Sequence, residues 1–329
     1  MTVRCPMAMN RVQFQKGLSL PDFLQRFGTE EQCATALESA RWPDGFHCPH
    51  CECTRHSVLI GSSRKTFQCS HCRHQTSLIA GTLFQGTRLP LTLWFLAIHL
   101  ISQAKTGMSA LALSRQLGVS YPTAWRIHHK LMQSMLEREA LYTLQGSVQA
   151  DDAYLGGERS GGKPGRGSEN KVPFVAAVSV DEQEHPIYAR FTVIKGFTGP
   201  AIAEWARTTL DKKCLVLTDG LPCFNGIADA GRGHAVIVSG GRKPKDLPQF
   251  GWVNTVLGNL KTSLSGAYHA FKFRKYAQRY LSTVTYRFNR RFNLATLPMS
   301  LLRAAINTGP RPEHWLLSAE SSCQSGKQI

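Results

Sequence analysis

VQADDAYLGGERSGGKPGRG, residues 148–167, decides the fold. A short apolar lead runs into two adjacent aspartates, Asp151 and Asp152, and then into a glycine-rich run dotted with lysine and arginine. Neighbouring carboxylates repel and prefer water, so a strand that ends in them is poorly chosen for stability. They make sense where a strand ends in a functional site. The basic run is then a loop able to track a polyanion; its plain alternative is a surface loop with no role. Successive side chains on a strand face opposite ways, so one of the pair is expected to point into the site. Asp151 is taken as that residue, although the sequence alone does not decide between the two.

Outward from this stretch the pattern is β-like. Residues 172–181 (VPFVAAVSVD) and 186–194 (PIYARFTVI) read as two further strands, with a helix over about 199–210. The fully apolar run 214–220 (CLVLTDG) is a buried strand ending in Asp219, and 235–238 (AVIV) is another. Three strands, a helix, a strand, a helix and a strand predict an RNase H-like mixed sheet flanked by helices. In such a sheet the ends of the first and fourth strands are neighbours, which sets Asp151 beside Asp219. Two carboxylates there suit hard divalent cations, Mg²⁺ or Mn²⁺, in a two-ion site for phosphoryl transfer. Asp219 alone is a weak signal, because Asp-Gly is a common turn.

A third ligand is usual for this chemistry, and between Asp246 and Glu313 the chain has no acidic residue. Asn254 could serve through its amide oxygen, with Lys261 two helical turns on along the same face. Asn259 is the competing candidate. Asn254 could instead be a helix cap.

The amino-terminal part carries different chemistry. Thr29 to Gln32 reads as a capping box opening a short helix that ends before Trp42-Pro43. Cys48, Cys51, Cys69 and Cys72 form a C-x2-C-x17-C-x2-C pattern around an apparent hairpin turning at Gly61-Ser62-Ser63. Each C-x2-C aims two thiolates at one point, and two such knuckles complete a tetrahedron around structural Zn²⁺. A redox pair is the alternative; His50 and His71 are possible substitutes as ligands, and Cys53 is off-pattern. Residues 106–135 read as a helix-turn-helix turning at Gly118-Val119-Ser120, with Tyr121, Thr123, Arg126 and His129 on or near the outer face of its second helix. The alternative is an ordinary helical hairpin.

Lys and Arg outnumber Asp and Glu by 39 to 22, and the pI is near 9.7. An excess of this size points to nucleic acid before membrane. The longest apolar run, 89–101, is too short to span a bilayer, and the first residues lack a secretory apolar segment. The reading is a cytoplasmic, nucleoid-associated, multidomain α/β protein. Expected boundaries are 1–45, an N-terminal helical segment; 46–86, the zinc ribbon; 87–140, the helix-turn-helix region; 147–306, the RNase H-like domain; and 307–329, a tail disordered at its end.

The run 252–292, with VQADDAYLGGER and LTDGLPCF upstream and the four-cysteine ribbon, resembles the ISXO-like group of insertion-sequence transposases over about Leu20 to Glu320. The resemblance implies a DDE-type core and Mg²⁺-dependent DNA transposition. Asp151 and Asp219 match the family's two aspartates, Asn254 stands where related branches have glutamate, and Lys261 matches a lysine. Asp152 replaces the glutamate of the family's DE pair. Water would free a 3′-hydroxyl at a transposon end, and that hydroxyl would attack target DNA. Expected partners are double-stranded DNA, as terminal inverted repeats and target, and further copies of the chain on that DNA. Lys272, Arg274 and Lys275 are expected at phosphates. Two other classes share these features: a DNA-binding regulator with an inactive core, and a structure-specific RNase H-like nuclease.

Overall fold

The computed structural model describes residues 12, 14–60, 65–156, 171–238, 240–242, 246–268 and 271–318. The glycine-rich run 157–170, the hairpin turn at Gly61-Ser62-Ser63 and the end of the tail lie outside the described residues. In chain order the elements are α1 (Leu20–Phe27), α2 (Glu30–Arg41), β1 (His56–Ile60), β2 (Lys65–Cys69), β3 (Gln75–Ser77), α3 (Leu91–Gln103), α4 (Ala110–Leu117) and α5 (Tyr121–Ala140). Then come β4 (Ser147–Leu155), β5 (Val172–Val180), β6 (Pro186–Val193), α6 (Gly199–Thr209), β7 (Leu215–Thr218), α7 (Gly226–Asp229), β8 (Gly233–Val236), α8 (Gly251–Ser263), α9 (Phe273–Asn289), α10 (Leu297–Asn307) and α11 (Glu313–Ser318). No described helix is long and apolar enough to cross a membrane.

The chain divides into two compact units. One comprises residues 1–104 and 290–310, the other 105–289 and 311–329. In the first, the capping box forms as its residues dictate: Thr29 Oγ1 accepts from Gln32 N–H at 3.2 Å, and Gln32 Oε1 accepts from Thr29 N–H at 3.0 Å. Strands β1, β2 and β3 make an antiparallel sheet. The Arg41 guanidinium ties α2 to this sheet by donating to the carbonyls of Ser77, Leu78 and Ala80. Helix α10 closes the unit, with Leu83 N–H donating to Ala305 O at 3.1 Å.

In the second unit the sheet order is β6-β5-β4-β7-β8. The pairs β6-β5 and β5-β4 are antiparallel, and β4-β7 and β7-β8 are parallel. Numbered within the sheet this is 3-2-1-4-5, the RNase H-like order that the sequence predicts. Apolar side chains cover both faces. Val148, Ala150, Val175 and Ala177 pack on α6 and α7 through Ile202, Ala206 and Ile227. Phe174, Ala176, Val178 and Leu155 pack on α8 and α9 through Val253, Val256, Leu260 and Leu281. The layering is helix, sheet, helix.

Helices α4 and α5 follow one another across a short turn. Ser109 caps α4 by accepting from Ala112 N–H at 3.1 Å, and Gly118 ends it in the left-handed conformation at φ 65°. Helix α3 belongs to the first unit while α4 and α5 belong to the second, and residues 290–310 join the first unit. Helix α5, 20 residues long, is seated on α9.

Candidate active site

Asp151 and Asp219 converge for a reason that can be read in the register. Strand β4 pairs with β7 in parallel, with Gln149 opposite Leu217. Two residues further along each strand bring Asp151 level with Asp219. Parity sets the face: Val148 and Ala150 point to α6, so Gln149 and Asp151 point to the layer of α8 and α9. Asp219 is held in a turn, its Oδ1 accepting from Leu221 N–H at 3.2 Å, and Gly220 turns the chain at φ 93°. A side chain at 220 would also crowd Val236, at 3.0 Å.

Asp152 departs from the expectation that one of the pair turns away. Its parity is opposite, yet carboxylate oxygens of Asp151, Asp152 and Asp219 all lie within 4.8 Å of one another. All three residues are half-buried. Burial, and then the charges of Asp152 and Asp219, push the Asp151 carboxyl up to about 6, with Lys261 acting in the opposite direction. Lys261 is thus close enough to Asp151 for its charge to be felt. Such a set of hard oxygens, crowded and short of positive charge, fits a divalent cation of the Mg²⁺ type.

Asn254 is not a helix cap. Helix α8 starts at Gly251, its N-cap is Phe250 without a side-chain cap bond, and Asn254 is the fourth helical residue. It is half-buried, shares its helix face with Leu257 and Lys261, and among the described residues its side chain makes no hydrogen bond. Asn259 is exposed. The residue that the sequence reading missed is Gln149, whose side-chain oxygen accepts from Trp252 N–H and Val253 N–H, both at 3.1 Å. A glutamine inside an apolar strand run was the available signal.

The four cysteines form a second cluster, in the first unit. The Sγ separations are 3.5 Å for Cys48–Cys72, 3.5 Å for Cys51–Cys69 and 3.4 Å for Cys51–Cys72. A tetrahedral zinc with Zn–S of about 2.3 Å would set them about 3.8 Å apart. The two knuckles repeat one hydrogen-bond pattern. Cys48 N–H donates to Cys53 O and Glu52 N–H to Cys48 O; Cys69 N–H donates to His74 O and Arg73 N–H to Cys69 O. Glu52 and Arg73 close the knuckles at φ 59° and 58°. The backbone N–H of Cys72, followed by that of His71, pulls the Cys69 thiol down to about 6. His50 and His71 stand outside the cluster, and Cys53 Sγ instead faces Arg55 O at 3.9 Å.

Of the residues expected on the outer face of α5, Tyr121 is exposed at 52% and Thr123 is half-buried. Arg126 pairs with Glu313 of α11 at 3.1 Å. His129 corrects the expectation. It is only 1% exposed, stacked on Trp125 at 4.1 Å and against Tyr276 at 4.8 Å. Burial, with His128 and Arg279 beside it, holds it neutral. Arg279, itself buried, donates to Gln133 Oε1 and Leu316 O at 2.8 Å each and fastens α5, α9 and α11 together. Lys272, Arg274 and Lys275 are exposed.

Residues 143–289 match the family model described as the ISXO2-like transposase domain, and residues 28–75 match the transposase zinc-ribbon domain. The chain thus carries an ISXO2-like transposase domain and a transposase zinc-ribbon domain. A curated relative, "Uncharacterized protein in transposable element ISH50" of Halobacterium salinarum, is 28% identical over 185 residues, covering 51% of this chain. The chain spans about three fifths (61%) of that relative's length. Among solved structures, the Mos1 strand transfer complex matches 64% of this chain and 76% of that one at 12% identity, with a TM-score of 0.25. The Mos1 mariner paired end complex with Mn matches 60% and 74%, also at 12% identity, with a TM-score of 0.20. Asp151, Asp219 and Lys261 fall inside the ISXO2-like match, and all four cysteines fall inside the zinc-ribbon match.

Proposed function

We propose that this ISXO2-like protein is a DNA transposase, cutting at the ends of its element and joining the freed 3′-hydroxyl to target DNA. The observation that carries the reading is the convergence of Asp151, midway along β4, and Asp219, just past the end of β7, on the sheet face that also meets Lys261. Asp151, Asp219 and Asn254 would hold Mg²⁺ or Mn²⁺, which activates an attacking oxygen and stabilises the leaving one. Asp152 adds a third negative charge beside them and offsets the neutrality of Asn254. Lys261 holds a phosphate oxygen, and no protein nucleophile is required.

DNA is bound in two ways. Tyr121, Thr123 and Arg126, at the open end of α5, reach bases or phosphates, while Lys272, Arg274 and Lys275 neutralise phosphates. Arg126 must leave Glu313 to do so. The ribbon holds one structural zinc through Cys48, Cys51, Cys69 and Cys72. The protein works in the cytoplasm on chromosomal DNA, as a homo-oligomer that pairs two ends.

The test is direct. Purified protein, Mg²⁺ and DNA carrying the element's own ends should give nicks that expose 3′-hydroxyls at those ends. Chelation of Mg²⁺, Asp151→Ala and Asp219→Ala should each abolish the nicks. Specific binding without metal-dependent nicks would instead identify a regulator, and nicks set by DNA structure rather than terminal sequence would identify a nuclease.

A further inference from the structure

A 3-10 turn, Pro248–Phe250, leads into α8 and takes only its first amide, Gly251 N–H donating to Pro248 O. The helix's N-cap Phe250 offers no side-chain acceptor, and its first turn contains no acidic residue. The leading N–H groups of a helix need partners from elsewhere. Gln149 supplies one from a strand over a hundred residues earlier in the chain. Its Oε1 accepts from Trp252 N–H and Val253 N–H together. Gln149 is only 7% exposed, between Val148 and Ala150, which are fully buried. A buried amide there is unfavourable unless it is hydrogen-bonded, so packing alone does not explain it.

We infer that Gln149 is a positioning residue, fixing α8 against β4 so that Asn254 and Lys261 stand in a set relation to Asp151. Gln149 and Asp151 lie two residues apart on one face of β4, about 6.7 Å along the strand. Asn254 follows the capped amide of Val253 directly, and Lys261 lies about 10.5 Å further along the helix. The cap at one end and the nearness of Lys261 to Asp151 at the other are two points, and two points fix the line of a rod. The choice of glutamine over glutamate has its own logic. A carboxylate would accept the same bonds and favour the helix dipole more. It would also put a fourth negative charge beside Asp151, Asp152 and Asp219. The amide caps without adding charge.

The inference rests on the proposed function for its catalytic consequence, so the experiment carries readouts that stand without it. Gln149→Leu and Gln149→Met keep volume but remove the acceptor; Gln149→Glu keeps the acceptor. Four quantities are measured on full-length protein: amide exchange over 250–256, Mn²⁺ affinity from the free-ion electron resonance signal, affinity for DNA, and nicking rate. For the Leu and Met variants we expect faster exchange at 252–254, weaker Mn²⁺ binding, and nicking slower by about a hundredfold, with DNA affinity within about twofold. Gln149→Glu should restore slow exchange and recover most of the nicking rate.

Leu and Met variants that nick within about twofold of wild type would overturn the inference. So would a Glu variant that leaves exchange at 252–254 as fast as in the Leu variant. If one apolar variant does not fold, the other is decisive. If wild type itself gives no nicks, the proposed function fails. The inference is then judged on exchange and Mn²⁺ affinity, and unchanged Mn²⁺ affinity in the apolar variants would end it.

Discussion

The cysteine cluster and the carboxylate cluster solve one problem, how to bring several ligands to a point, by opposite means. The knuckles are local: all four thiols come from residues 48–72, and each knuckle closes on itself with the same two backbone hydrogen bonds. The carboxylate site is non-local. Asp151 and Asp219 meet because β4 and β7 are parallel neighbours, and Lys261 arrives on a helix held by a strand far back in the chain. Metal removal should therefore unfold the first cluster, whereas the second should persist as an empty, mutually repelling set.

The largest expected difference is in activity. Asp151→Asn should abolish nicking at a Mg²⁺ concentration where wild type is active, while thermal melting at pH 7 stays equal or rises because a repelling charge has gone. A lower melting temperature would mean that the carboxylate supports the fold, and the comparison would break. Next in size is the ribbon. Cys48→Ser with Cys51→Ser should lose bound zinc by elemental analysis and speed amide exchange across 46–80. Exchange in the strands of the second unit should not change.

Asn254 sharpens the non-local side. Asn254→Ala should lose most nicking and keep its melting temperature, because it caps nothing. Asn254→Asp should keep part of the activity at lower Mg²⁺, and Asn259→Ala should behave as wild type in both assays. A competent Asn254→Ala, beside dead Asp151→Asn and Asp219→Ala controls, would remove it from the site.

The pH effect is smaller. Asp151 holds its proton to about 6 when folded, against an ordinary value of 3.8. Between those values the folded chain binds more protons than the unfolded one, so stability conferred by this group falls as pH rises through the window. In Mg²⁺-free buffer, denaturant melts of wild type and Asp151→Asn from pH 4 to 7 should diverge, with wild type losing more. Parallel curves would show that the aspartates are too well hydrated to repel. Smallest is the effect at the DNA surface. Neutralising Lys272, Arg274 and Lys275 should lower the salt slope of DNA binding by about 0.9 for each phosphate that is no longer neutralised. Arg126→Ala should mainly reduce the preference for terminal over random DNA.

Much of both sites was legible because the decisive residues carry local signatures. The cysteine spacing defines the ribbon, Thr29 and Gln32 define a helix start, and Asp219 marks the end of β7, whereas β4 does not end at its aspartates but runs on to Leu155 because β5 pairs with it along its whole length. Three things were not legible, each for a tertiary reason. The side chain of Asp152 leans back to its neighbours against its strand parity. The cap of α8 lies on another strand, so Asn254 could pass as a cap. His129 faces inward because α9 covers most of α5, and no periodicity within α5 reports a partner so far along the chain.

The way the first unit is assembled bears on how the protein is made. Helix α10 packs in that unit, joined through Leu83 and Ala305, yet it follows the whole of the sheet in the sequence. A ribosome delivers the ribbon first and its last wall about two hundred residues later. Throughout that interval the emerging ribbon is held by its knuckles and by Arg41 of α2, without α10. Zinc supply during translation, more than in the finished protein, should then govern how much chain survives. Expression under zinc limitation should lower the yield of full-length protein before it changes the properties of the molecules that form.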